Sequence, residues 1–175
     1  MGSWGSGPFD SDSALDYLGD LAQTHASRSV DGVHTVAPGS VDRLAATGAL
    51  RSVLVASPAY NEDQRWALDA MYAAAGLVAA ALAGKDPSVV SGTRLFAAMA
   101  AHAAGELPAG SDDEVLGLDN HCGFVALLDL SSAVSLHGPA VAAVATLSAA
   151  TVWLDGWDDL AEITDQLTRL ARVLA

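Results

Sequence analysis

Cysteine occurs once in this chain, at Cys122, lysine once, at Lys85, and isoleucine once, at Ile163. A lone cysteine excludes an internal disulfide and any cysteine-rich zinc site. Basic residues are scarce: 8 Lys and Arg stand against 21 Asp and Glu, for a net charge of −13 and a pI near 4.3. Such a chain repels phosphate, so neither nucleic acid nor anionic lipid is an expected partner. Long apolar runs are also few. Ala70 to Ala83 is too short to span a bilayer, and Pro139 to Leu154 is interrupted by Thr146, Ser148 and Thr151. Neither is flanked by a Lys/Arg cluster that would orient it. No basic segment leads into an apolar one in the manner of a secretory signal. Gly2 to Ser6 fits the N-myristoylation pattern formally, without the second signal that stable anchoring requires. The expectation is a cytoplasmic protein with no membrane association.

What is present is alanine. The 175 residues include 36 alanines, 51% of the chain is apolar, and 17% is charged, a balance that favours one folded domain over disorder. Alanine loses least of all residues in a helix. Glycine and proline then divide the chain into segments. The fold class is read as all-α: a compact single-domain bundle of about six to seven helices, 1–175, preceded by an irregular glycine-rich arm at 1–10. No fixed-period repeat points to a solenoid.

The first helix is expected to start at Ser11 to Ser13, with Ser13 and Asp16 as a capping box and Asp12 as a cap, and to fade by Ser29. Ser29 to Gly39 reads as a loop. Short strands within Ser29–Val36 and Val53–Val55 are the main departures the pattern would allow. A second helix runs from Ser40 to about Ala56. A third starts at an Asn61 cap, stops at Gly84, and is apolar all round from Ala70, as a central buried helix is. A fourth spans Ser88 to Ala104. A fifth is in two parts, the second running from Asn120 to a break at Gly138-Pro139. A sixth covers Pro139 to Leu154. The last carries Leu160, Ile163, Leu167, Leu170 and Leu174 on one stripe.

Met1-Gly2-Ser3-Trp4-Gly5-Ser6-Gly7-Pro8-Phe9, followed by Asp12-Ser13-Ala14-Leu15-Asp16-Tyr17, resembles the opening of an uncharacterised bacterial domain-of-unknown-function family with the signature M-G-x-W-G-x-G-x-F-x-x-D-x-A-x-D. The resemblance is tight over these residues and looser through 11–104; residues 105–175 form a separate run of C-terminal helices. It implies a bacterial origin and a helical fold, and it brings no catalytic residue with it. Physically, Trp4 and Phe9 are two anchors on either side of a glycine hinge. They read as an arm that wraps the bundle and plugs its rings into the core. The competing functional reading is a ligand mouth at a helix N-terminus. There Asp12 and Asp16 disfavour an anion and suit a cation or amine.

Asp129 stands in Phe124–Leu130, a stretch otherwise built for an interior, so it reads either as a paired core carboxylate or as a cavity acid with a raised pKa. His121, beside Cys122, and His102 are the accompanying candidates for acid-base chemistry. The five histidines lack metal-binding spacing, and no metal or other cofactor is expected. Arg65 and Asp69, four apart, read as a solvated surface bridge. Trp153 and Trp157 read as a staple between the last two helices, or else as an aromatic wall for a ligand. The leading functional expectation is a helical protein that binds a protein partner or a small apolar or cationic molecule. The alternative is a cofactor-independent enzyme, of the kind found in bacterial specialised metabolism, working by acid-base chemistry in a helical cavity.

Overall fold

The computed structural model describes residues 6–26, 28–30, 33–35, 43–57, 65–82, 128 and 130–175. Within them the fold is all-α. Six helices pack together: α1 (Asp12–Ala26), α2 (Arg43–Leu54), α3 (Arg65–Leu82), α4 (Leu130–Ala149), α5 (Thr151–Leu154) and α6 (Leu160–Val173). Between α1 and α2 lies a small antiparallel hairpin of β1 (Arg28–Val30) and β2 (Val33–Thr35), in register Arg28 with Thr35 and Val30 with Val33. The residues between the strands are Asp31-Gly32, the dipeptide most suited to a two-residue hairpin connection. The loop expected at Ser29–Gly39 thus contains a hairpin, whereas Val53 and Leu54 are helical.

α3 is the central element. From Leu68 to Ala81 every residue is buried, because alanine, glycine and valine let neighbours close in on all sides. α1, α2, α4 and α6 all pack against it. The core they share takes Leu18 and Leu21 from α1, Leu50 and Leu54 from α2, and Leu136 and Leu147 from α4. Ile163 and Leu170 join it from α6.

Three local readings are corrected. The N-cap of α1 is Ser11, one residue before Asp12: its hydroxyl oxygen accepts the N–H of Ala14 at 3.1 Å. The stripe on α6 begins at Ile163, because Leu160 is exposed at the first turn, where Asp159 caps the helix by accepting the N–H of Glu162 at 2.9 Å. The third concerns Pro139, which does not end a helix. α4 runs through it from Leu130 to Ala149.

An internal proline removes one helical N–H and crowds the carbonyl four residues back. That carbonyl belongs to Ser135, and here it accepts a hydrogen bond from Arg51 Nη2 of α2 at 2.8 Å. The guanidinium supplies the donor that the proline cannot. The preceding residue, Gly138, has no Cβ to clash with the ring. Tertiary packing therefore overrides a local helix breaker.

Asn61, Gly84, Ser40 and the whole of the helix expected at Ser88–Ala104 lie outside the described residues, as does the first part of the fifth expected helix.

Candidate functional site

Two features stand out: a buried polar knot beneath the N-terminal segment, and a long face of α4 without charge.

The knot centres on Asp69, which is only 3% exposed. Leu68 and Ala70 flank it on the most buried helix of the protein, so the carboxylate is carried inside with α3. Its Oδ1 accepts a hydrogen bond from Trp153 Nε1 at 2.8 Å. Burial raises its pKa above the usual carboxylate range. The Trp153 indole, the positive charge of Arg65, and hydrogen bonds from Ser13 and Ser11 all act against that shift, and burial prevails. Arg65 serves a second partner, donating from Nη2 to the carbonyl of Gly156 at 2.8 Å. A Cβ on Gly156 would lie 2.9 Å from Arg65 Nη1, so the guanidinium would have to shift to admit one. The solvated bridge expected between Arg65 and Asp69 is therefore wrong. Spacing of four residues put the pair on one face correctly, but the N-terminal segment and Trp153 cover that face.

Three rings roof the knot. Trp153 and Trp157 meet edge to face at 5.5 Å, and Tyr72 meets them at 5.6 and 6.2 Å. The Tyr72 hydroxyl donates to the carbonyl of Ser6 at 2.9 Å. Burial pushes its pKa up, and the negative charges of Asp10 and Glu162 push the same way. Asp10 closes a tight turn, with its Oδ2 accepting the N–H of Gly7 at 2.8 Å. Residues 6–10 are buried throughout, Phe9 among the core residues. Pro8 lies against Gly76 of α3, where an added Cβ would fall 2.6 Å from the proline Cβ. Small residues on α3 thus make the seat for the segment.

The expected site residues separate accordingly. Trp153 and Trp157 come together around Tyr72, with Trp153 on Asp69, and Phe9 is buried in the same core against Gly76. Asp12 is half-buried in the first turn of α1, and Asp16 is exposed. Asp129, His121, His102 and Trp4 lie outside the described residues. Of the neighbours of Asp129, Leu128 is buried and Leu130 is exposed. Among the described residues no group of His, Cys, Asp and Glu could hold a metal ion. Spacing reads Asp69 as half of a surface bridge and misses its burial, although it is the sole charged residue between Arg65 and Gly84. That is the kind of signal that drew attention to Asp129.

The second feature is α4. From Leu130 to Leu154 the chain contains no Asp, Glu, Lys or Arg. Ala133, Leu136, Ala140, Ala143, Val144 and Leu147 of α4 face the core. The opposite side presents Leu130, Val134 and Val141, all exposed, with Gly138, Ala142, Ala145 and Ala149 between and beyond them. Val152 of α5 is exposed as well. Arg51 binds one flank of the helix at Ser135. On the other, His137 Nε2 lies 2.6 Å from the carbonyl oxygen of Leu174 and donates to it. The helix is therefore fixed on both flanks, while its outer face is exposed among the described residues. By length and composition α4 could also cross a membrane, and a third of its apolar stretch is buried.

No family model, curated protein or solved structure matches the chain.

Proposed function

We propose that this protein is a non-catalytic helical binding protein of the cytoplasm that engages a protein partner through the outer face of α4. The observation that carries this reading is the absence of charge on the exposed face of a twenty-residue helix in a chain of net charge −13. Water-facing helix positions ordinarily hold charged and polar side chains. Depletion of charge with retained apolar side chains is what distinguishes the core of a protein interface. The flanking bonds from Arg51 and His137 hold the face rigid, so little order need be gained on binding.

The knot supports a structural role instead. Asp69 is surrounded by donors and shielded from solvent by rings, so it fastens the N-terminal segment to α3 and α5. The edge-to-face packing of Trp153, Trp157 and Tyr72 uses their surfaces on one another, which weighs against a ligand wall. The likeness of residues 2–17 to the uncharacterised bacterial family stays part of this proposal and adds no activity to it.

A photo-crosslinking residue at position 141, compared with one at exposed position 165 on α6, tests the reading in cells. Protein adducts from 141 and not from 165 are expected. Equal yields from both, or none from 141, refute it.

A further inference from the structure

We draw no further inference here: the strongest candidate, the uncharged outer face of α4 with its exposed Val134 and Val141, belongs to the site already described, and nothing in the structure shows what covers it.

Discussion

Removing the Arg51 side chain should destabilise the protein much more when Pro139 is present than when it is not. The proline leaves the Ser135 carbonyl without its helical donor, and Arg51 Nη2 fills the vacancy at 2.8 Å. A hydrogen bond from a charged donor contributes about 1.5–3 kcal/mol when buried. Arg51 is exposed, so water competes for both groups and the value falls to about 1 kcal/mol. Arg51→Ala should therefore lower the melting temperature by about 2–4 °C. Pro139→Ala returns the helical N–H to Ser135. In that background the carbonyl already has a donor, and Arg51→Ala should cost less than half as much. The assay is urea unfolding of the wild type, both single variants and the double variant, read by circular dichroism at 222 nm. Equal costs of Arg51→Ala in the two backgrounds would refute the claim that the guanidinium compensates the proline.

Other expectations follow from the knot. Asp69→Ala leaves the Trp153 N–H and the serine hydroxyls without their acceptor and should cost about 3 kcal/mol in urea unfolding, whereas Asp69→Asn keeps an acceptor for Trp153 and should cost less than half of that. Because burial raises the Asp69 pKa in the folded state, the native protein binds that proton more tightly than the unfolded chain does. The contribution of Asp69 to stability therefore falls as pH rises from the ordinary carboxylate range through its elevated folded pKa, and the stability difference between wild type and Asp69→Asn should change with that sign. A difference independent of pH would contradict the raised pKa. Gly76→Ala drives a methyl into Pro8 at 2.6 Å and should lift residues 6–10 from α3, at a cost of about 1–3 kcal/mol. Limited proteolysis should then clip the N-terminal segment faster than in the wild type, and an unchanged rate would show that the segment is not seated there.

Elements whose stability is local were legible from residue pattern. α1 follows its serine-rich start, α3 its apolar run, and α6 its Ile163, Leu167, Leu170 and Leu174 spacing. The anchor role of Phe9 and the stapling of Trp153 to Trp157 were legible too, since large rings in a short segment have few places to go but the core. What pattern does not reveal is a partner distant in sequence. Pro139 reads as a break because its rescue comes from Arg51, 84 residues before the carbonyl it serves. Asp69 reads as a surface residue because its cover comes from Ser11, Ser13 and Trp153. The pattern allows short strands within Ser29–Val36 beside the loop, and the hairpin at 28–35 realises them; at three residues each they are too short for an alternating pattern to assert them over a loop. The outer face of α4 was obscured by the break expected within it. Read as two helices, the uncharged stretch looks like interior; read as one, its open side becomes visible.

The central claim is that the outer face of α4 is open in the isolated protein and covered where the protein works. Hydroxyl-radical footprinting of Val134, Val141 and Val152 measures this directly, in dilute purified protein and in intact cells. The account predicts strong labelling of all three in dilute protein and protection in cells, with exposed Leu44 of α2 labelled alike in both. Protection already complete in dilute protein, or labelling in cells equal to that of the isolated chain, would contradict it.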